Sequence, residues 1–369
     1  MTLNKIAVLP GDGIGPEVVA QAVKVLEGLG EKYNLPFQFE YGLVGASAID
    51  KTGNPLPDET LDLCKSSDAI LLGAIGDPKY DKDPSAPVRP EQGLLRLRKE
   101  LGLFVNIRPI RLYDKLAGLS VIKPEVLKGV DFLIYRELTG GIYFGKKVRE
   151  EDFASDECLY HRYEIERVSK LAFKEASGRR KKLTLVDKAN VLESSRLWRD
   201  VVMKMSHEYP DVSVEYLYVD NAAMQIILQP SRFDVILCSN MFGDILSDEA
   251  SVLVGSLGLL PSSSRGNQYS LYEPVHGSYP EAAGKNIANP MATILSVEMM
   301  LRDAGLIGEA DAIKDAIEFC MEKSILTEDL NPDINYSCSQ MGDIITTLVL
   351  DGPDALKTKS LREANSTIV

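Results

Sequence analysis

The chain has 369 residues, 45% of them apolar, which is enough for a large core and for about two domains. The net charge of −13 argues against a nucleic-acid partner, because phosphate binding requires a basic face. No apolar run reaches the roughly 18 residues of a membrane helix, and the N-terminus meets a proline too soon for a signal peptide. The five cysteines form no C-x-x-C pair, which is typical of reduced thiols in a cytoplasm.

The chain opens with a predicted strand at 5–10, the turn G-D-G-I-G-P-E at 11–17, and a helix from 18 to about 28. Its G-x-G-x-G spacing differs from the G-x-G-x-x-G dinucleotide fingerprint, and no acid follows at the expected distance of about 20 residues. We therefore interpret it as a tight strand-to-helix turn with a close backbone approach.

The next part of the chain combines predicted buried elements with a long loop. Its predicted elements are a helix at 56–65, a strand at 69–72, a loop at 73–90, a helix at 93–101 and a strand at 103–108 ended by Pro109. Between Arg89 and Arg111, six basic residues stand against two acidic ones, a local balance of +4. This segment suits a small anionic substrate, or it is a solvated helix face.

Beyond a strand at 131–136, Gly140-Gly141 predicts a sharp turn into an arm or hairpin. Helices and strands then alternate, which is typical of a parallel α/β architecture. The predicted elements are helix 157–175, strand 183–187, helix 191–206, strand 214–219, helix 221–228, strand 234–239 and helix 244–254. Residues 262–266 are predicted as a loop, and 293–304 and 308–324 as helices.

Polar residues fall where four of these predicted strands end, the edge at which such sheets bind ligands. They are Arg136, Lys188, Asp220 and Asp244. Asp248 lies four residues after Asp244, so a helix places both carboxylates on one face, where they repel each other unless a cation lies between them. Carboxylate oxygens suit Mg²⁺ or Mn²⁺. The alternative is that the helix dipole favours acids in a first turn.

Seven motifs carry a resemblance that runs nearly end to end. They are L-P-G-D-G-I-G-P-E (9–17), G-L-L-R-L-R-K (93–99), N-I-R-P (106–109), R-E-L-T-G-G-I-Y-F-G (136–145), V-D-K-A-N-V-L (186–192), N-M-F-G-D-I-L-S-D (240–248) and E-P-V-H-G-S (273–278). The chain resembles the isocitrate/isopropylmalate dehydrogenase family of metal-dependent β-decarboxylating dehydrogenases.

The resemblance implies a two-domain α/β fold with parallel-rich sheets rather than a Rossmann fold. Residues 1–103 and 256–369 are expected to form the NAD-binding domain, which carries both termini. Residues 104–255 are expected to form an inserted domain with the dimer interface and an arm at about 140–160. The family is homodimeric.

The resemblance also implies a role for each site residue. Asp244 and Asp248, with Asp220 of the partner subunit, match the ligands of Mg²⁺ or Mn²⁺, and Asp220 also lies near the substrate. Lys188 of the partner subunit matches the base, and Tyr143 matches the acid. The residues that hold the substrate carboxylates through forked donors are Arg98, Arg108 and Arg136.

For the cofactor, the resemblance implies NAD contacts from Ile14, Glu91, His276, Gly277, Ser278, Glu281 and Asn289. His276 is expected to stack on adenine, and Asn289 to meet the adenine edge. Glu281 stands where NAD-dependent members usually carry Asp. A carboxylate there accepts hydrogen bonds from the ribose hydroxyls and repels a 2′-phosphate, which favours NAD over NADP.

The leucines of E-Q-G-L-L, Leu94 and Leu95, match residues that face an isopropyl group. The resemblance therefore implies NAD-dependent oxidative decarboxylation of 3-isopropylmalate to 4-methyl-2-oxopentanoate, a step of leucine biosynthesis. One alternative is a sister activity on D-malate, tartrate or homoisocitrate. Another is a non-catalytic regulatory subunit of a hetero-oligomeric dehydrogenase, although such a subunit is expected to lack catalytic groups that this chain retains.

Overall fold

A computed structural model describes residues 3–82, 87–118, 120–331, 333 and 336–356. The chain divides into two compact units. The first lies within residues 1–97, 256–263 and 269–369, and the second within 98–255 and 264–268. The expected domain roles, NAD binding in one and the dimer interface in the other, remain predictions.

The first unit contains a sheet in the order β2-β1-β3-β12-β11. With labels that follow the whole chain, its strands are β1 (Lys5–Gly11), β2 (Gln38–Tyr41), β3 (Ala69–Ala74), β11 (Pro261–Arg265) and β12 (Ser270–Pro274). β1 pairs in parallel with β2 and β3, and β3 pairs in parallel with β12. β3 is buried along its whole length, as its continuous apolar run predicts.

Helices account for most of the rest of the first unit. They are α1 (Gly15–Tyr33), α2 (Ala46–Thr52), α3 (Asp58–Lys65), α4 (Pro78–Asp81), α5 (Pro90–Glu100), α11 (Met291–Asp303), α12 (Ile307–Glu322) and α13 (Cys338–Asp351). The last residues of α5 and β11 belong to the second unit. No described helix is both long and apolar enough to cross a membrane.

The second unit is the α/β alternation that carries most of the motifs. Its strands are β4 (Val105–Arg111), β5 (Asp131–Glu137), β6 (Lys147–Arg149), β7 (Ala154–Asp156), β8 (Lys182–Asp187), β9 (Ser213–Tyr218) and β10 (Val235–Cys238). Its helices are α6 (Pro124–Leu127), α7 (Arg162–Gly178), α8 (Glu193–Ser206), α9 (Val219–Leu228) and α10 (Asn240–Val254). β6 and β7 pair as an antiparallel hairpin within the segment predicted to form an arm, and the role of that segment as an arm remains a prediction.

The sheet of this unit has the order β4-β5-β10-β8-β9. β5, β10, β8 and β9 are parallel, and β4 is antiparallel to β5. Four carboxyl ends therefore lie on one edge: Cys238 pairs with Arg136 and Val186, and Asp187 pairs with Tyr218. This confirms the predicted mainly parallel α/β fold and gathers the predicted polar residues at one edge.

The prediction that Pro109 ends a strand was wrong, because β4 continues through it to Arg111. The hydrogen-bonded pairs that flank this stretch join Phe104 to Leu138 and Leu112 to Val130. In an antiparallel ladder the bonded pairs alternate, so Pro109 opposite Leu133 is a non-bonded position. Its missing N–H therefore removes no bond to β5.

Other predicted boundaries also required correction. Residues 262–266, predicted as a loop, lie largely in β11, and α4 lies inside the predicted loop 73–90, of which 83–86 are outside the described residues. α7 begins at Arg162 rather than at 157, because the Glu164 side chain accepts the His161 N–H at 2.7 Å and caps the first turn there. α9 begins at Val219, which places Asp220 in a helix rather than at a strand end. Five further elements, β2, β12, α2, α6 and α13, were not predicted from the sequence.

Candidate active site

The glycine-rich turn after β1 is a close backbone approach, as predicted. Gly11 and Gly13 have φ of +73° and +59°, values that favour glycine. A Cβ on Gly11 would lie 1.9 Å from the Ala74 carbonyl oxygen, and one on Gly13 would lie 1.9 Å from that of Ser278. The Ile14 N–H donates to the Ser278 carbonyl at 2.8 Å, so this turn also holds the segment predicted to bind cofactor.

In the second unit, two acids of α10 meet two arginines from the neighbouring strands. Arg136 of β5 donates from Nη1 to Asp244 Oδ1. Arg108 of β4 lies 3.7 Å from Asp244 and donates to Asp248 Oδ1 at 3.3 Å. Arg98 is also buried, and its charge contributes to lowering the pKa of Asp244. Five of the predicted site residues therefore form one cluster.

Burial and the neighbouring charges in this cluster shift the pKa values of Asp244 and Arg136. Burial raises the pKa of the Asp244 carboxyl, but Arg136, the Tyr143 hydrogen bond and Arg108 together outweigh burial and leave that pKa below its ordinary value. Burial and the neighbouring Arg108 charge lower the pKa of Arg136 to about 10. At neutral pH the site is therefore an anionic Asp244 among cationic guanidinium groups.

Tyr143 lies in a short 3-10 turn, Gly141–Tyr143, after the Gly140-Gly141 pair. Its hydroxyl donates to Asp244 Oδ2 at 2.8 Å. Burial, together with Asp244, raises the pKa of Tyr143 to about 12. The phenol therefore keeps its proton at neutral pH and can donate it.

The sequence interpretation missed the residues that hold this turn in place. Asn240 is 1% exposed, and its Oδ1 accepts from Arg136 Nη2 at 2.8 Å and from Arg136 Nε at 3.1 Å. Its Nδ2 donates to the Gly140 carbonyl at 3.2 Å, while the Gly140 N–H donates to buried Glu137 at 2.8 Å. Asn240 stands inside the motif 240–248, so its position was visible, but its partners lie about 100 residues away.

Lys188, directly after β8, and Asp220, in the first turn of α9, form a separate pair. Lys188 Nζ donates to Asp220 Oδ1 at 2.7 Å, and this contact lowers the pKa of the Asp220 carboxyl. Among the described residues, no three His, Cys, Asp or Glu side chains are placed to hold a metal ion. Within one chain, the structure therefore does not join Asp220 to Asp244 and Asp248 as a ligand set.

The donor chemistry of α10 nevertheless fits a hard divalent cation. Asp244 and Asp248 are four residues apart on one helix and supply only carboxylate oxygens, the ligands that Mg²⁺ and Mn²⁺ prefer. One turn of one helix supplies two ligands, so the rest of the coordination shell must come from substrate, water or another part of the protein.

In the first unit, most residues predicted to bind NAD lie on one segment, 276–289. His276 has a buried Nε2 without a hydrogen-bond partner among the described residues, and burial lowers the pKa of its ring. A neutral imidazole ring has a flat face on which an aromatic ligand can stack. Gly277 and Glu281 are exposed, and Ser278 is buried. The Asn289 side chain already makes two hydrogen bonds within the protein: its amide donates to Asp329 at 3.1 Å and accepts from the Met291 N–H at 3.0 Å.

The remaining predicted residues of this unit lie on α5. A Cβ on Gly76 would lie 3.3 Å from Glu91 Oε1 and 3.5 Å from Ser278 Oγ, which brings Glu91 close to the segment predicted to bind NAD. Leu94 and Leu95 follow within one turn and are half-buried. Two leucines with accessible methyl groups can contact an apolar substituent.

The second unit is mainly parallel α/β, with acids, arginines and a tyrosine clustered at the carboxyl edge of its sheet. This arrangement is typical of proteins that bind small carboxylic acids. The model of the family described as isocitrate/isopropylmalate dehydrogenase matches residues 5–345. The chain belongs to the isocitrate/isopropylmalate dehydrogenase family, and the resemblance stated from the motifs is confirmed.

Two relatives and one solved structure are similar to this chain over nearly its whole length. The chain is 54% identical to a 3-isopropylmalate dehydrogenase of Geobacillus kaustophilus (strain HTA426) over 94% of this chain and 96% of that protein. It is 52% identical to a 3-isopropylmalate dehydrogenase of Aquifex aeolicus (strain VF5), over 97% and 99%. Among solved structures, an isocitrate dehydrogenase from Methylococcus capsulatus superposes with a TM-score of 0.85 at 34% identity, over 95% of this chain and all of that one.

Proposed function

We propose that the protein catalyses the NAD-dependent oxidative decarboxylation of 3-isopropylmalate to 4-methyl-2-oxopentanoate, CO₂ and NADH, a step of leucine biosynthesis. The observation that carries the proposal is the cluster of Asp244, Asp248, Arg108, Arg136 and Tyr143, which has the charges this reaction needs. The 3-isopropylmalate dehydrogenases at 52–54% identity support the choice of substrate.

The arginines bind the substrate. Arg108 and Arg136 present buried, cationic guanidinium groups whose forked donors match a carboxylate, and Arg98 adds a third charge. Asp244 and Asp248 would hold Mg²⁺ or Mn²⁺, which would supply electrophilic polarisation of the substrate oxygen. The segment 276–289, with Ile14 and Glu91, would hold NAD, which would supply the hydride acceptor.

Two residues move protons in this scheme. Lys188 of the partner subunit takes the hydroxyl proton as the hydride leaves, which gives a β-keto acid. Loss of CO₂ leaves an enolate, whose carbon takes a proton from the Tyr143 hydroxyl. The raised pKa of Tyr143, about 12, keeps that proton in place until an equally basic carbon develops beside it.

The active unit in this proposal is a homodimer in which Lys188 and Asp220 serve the partner's site. One chain supplies two metal ligands on α10, and a second copy supplies Asp220 as the third. Exposed apolar side chains on α9 and α10, Met224, Leu228, Ile245 and Val252, fit a surface that a second copy covers. The five free cysteines fit a reducing compartment such as the cytoplasm.

The test is kcat/KM for NADH or NADPH production with 3-isopropylmalate, isocitrate and D-malate, each with NAD and with NADP. The proposal expects a strong preference for 3-isopropylmalate with NAD. Each buried methyl group contributes on the order of 1 kcal/mol of discrimination, so D-malate is expected to react roughly 10- to 100-fold less efficiently. A preference for D-malate would contradict the assignment of Leu94 and Leu95, and no turnover of any substrate would contradict the proposed reaction class.

A further inference from the structure

Arg199, on α8, binds the carboxylate that immediately precedes Lys188. Its Nε and Nη2 donate to Asp187 Oδ2 and Oδ1, both at 2.8 Å, a bidentate pair with a carboxylate that is 2% exposed. Asp187 Oδ1 also accepts from the Ala189 N–H at 3.0 Å. One guanidinium therefore ties α8 to the turn that carries Lys188, with the geometric specificity of a fork.

The same guanidinium also contacts the neighbouring strand. Its central carbon lies 5.4 Å from the ring centroid of Tyr216 and 5.3 Å from that of Tyr218, both on β9. Tyr218 is the register partner of Asp187 and precedes Asp220 by two residues. Arg199 thus joins the ends of β8 and β9 through an ion pair on one side and cation–π contacts on the other.

Further contacts from α8 fix the backbone of the same turn. The Lys188 N–H donates to Ser195 Oγ at 3.1 Å, and Arg196 Nε donates to the Ala189 carbonyl at 2.9 Å. Beyond this anchored backbone, the Lys188 side chain extends to Asp220 at 2.7 Å. The relative position of the two functional groups therefore depends on how rigidly the two strand ends are joined.

We propose that Arg199 is a positioning residue that sets the separation of Lys188 and Asp220 for the reaction. The inference rests on the proposed function, which assigns Lys188 as base and Asp220 as metal ligand. An arginine is required here because a lysine keeps the charge but lacks both the fork and the flat face that lies over two rings. Arg199 itself contacts neither substrate nor cofactor in this role.

The first experiment compares Arg199→Met with a matched control, Arg232→Met. Arg232 has similar exposure, binds Glu215 of β9 and lies over the ring of Phe233, and the proposed reaction assigns it no role. Arg199→Met is expected to lower kcat roughly 10- to 100-fold, the cost of a misplacement of about 1 Å, while KM for NAD stays unchanged. Arg199→Lys is expected to recover little of the loss. A kcat equal to that of Arg232→Met would overturn the proposal.

The second experiment tests whether the defect of Arg199→Met lies on the Lys188 side or on the Asp244 side of the shared site. Lys188→Ala and Asp244→Asn subunits are mixed and allowed to exchange as a reference, because one site of that heterodimer has both intact groups. Arg199→Met is expected to recover activity when mixed with Asp244→Asn, and to recover none with Lys188→Ala. Recovery with neither partner, while the reference pair recovers, would mean that the defect is not confined to the Lys188 side and would overturn the proposal.

A failure of the proposed function can be distinguished from a failure of the proposed role of Arg199. A wild-type enzyme that turns over nothing in the substrate panel contradicts the reaction before any Arg199 variant is made. If the enzyme is active but the reference pair does not recover, the shared site is wrong. The comparison of Arg199→Met with Arg232→Met in homodimers then decides the role of Arg199, because it does not depend on which subunit supplies Lys188.

Discussion

Asp244 is the residue whose carboxylate accepts hydrogen bonds from both Arg136 and the Tyr143 hydroxyl, while the Arg108 guanidinium lies 3.7 Å away as an ion-pair partner. It has two roles in the proposed reaction, because it holds the divalent cation and aligns the proton donor Tyr143. A neutral amide of the same shape keeps the packing and can still accept the Tyr143 hydrogen bond, but it loses the negative charge that would hold the cation.

We therefore expect Asp244→Asn to lower kcat by roughly 100-fold or more at ordinary Mg²⁺, since it removes charge where the transition state needs it. The dimer is expected to persist, which size-exclusion chromatography checks beside the rate assay. Asp211→Asn is the control, because Asp211 is an exposed acid paired with Lys181. Unchanged turnover in Asp244→Asn would rule out the metal assignment.

Glu281 is the residue on which the proposed preference for NAD over NADP rests. Its carboxylate is exposed at the start of a short 3-10 turn in the cofactor segment. Removing the negative charge removes repulsion of a 2′-phosphate, so Glu281→Gln is expected to raise kcat/KM for NADP relative to NAD by about tenfold. Glu281→Asp keeps the charge and serves as the control; a cofactor ratio that is the same in both variants would exclude Glu281 as the discriminating group.

At the scale of elements, the turn between β5 and Tyr143 is fixed from both sides. Glu137 accepts the Gly140 N–H and Asn240 donates to the Gly140 carbonyl, while the Tyr160 ring packs against both glycines. Gly141 has φ of +72°, and a Cβ there would lie 2.4 Å from the Tyr160 hydroxyl oxygen. An alanine at this position must displace the turn that carries Tyr143.

Gly141→Ala is accordingly expected to lower kcat roughly 10- to 100-fold by moving the proton donor. Gly129 offers a matched control, because its φ is +76° but a Cβ there meets nothing within 4 Å. Gly129→Ala is expected to cost about 1 kcal/mol of stability from the backbone alone and to leave kcat unchanged. Rate assays and thermal unfolding of both variants separate the two effects; equal kcat values would show that the turn does not position Tyr143.

At the scale of the whole molecule, catalysis in the proposed scheme depends on association of two chains. Met224 on α9 is more than half exposed, as is Leu228 one turn later. A buried, unpaired carboxylate costs several kcal/mol, so Met224→Glu is expected to weaken the dimer and to lower activity with it. Met203→Glu on α8 is the control, because it introduces the same charge at a similarly exposed methionine.

Sedimentation velocity over a range of concentrations, with the rate assay beside it, checks this expectation. Activity of Met224→Glu should return as concentration rises and dimers re-form. A fully active monomer would contradict both the interface and the contribution of Lys188 and Asp220 across it.

Some of this architecture was predictable because it depends on local pattern. The alternation of β8 to α10 follows from short apolar runs separated by helical periodicity, and Asp244 and Asp248 share a face because of helix geometry alone. β11 and the continuation of β4 through Pro109 were not predictable in the same way. Both depend on which strands lie alongside and on the phase of their hydrogen bonds, and neither leaves a local signal.

By itself the sequence determined the family and the candidate site residues, because residue type, order and spacing are properties of the chain. Only the tertiary structure decided the partners: Asn240 with Arg136, Asp244 with Tyr143, and Arg199 with Asp187. Two of these pairs join residues about 100 positions apart. Their hydrogen bonds form only when strand register and helix packing bring donor and acceptor within about 3 Å, a condition that depends on three-dimensional position.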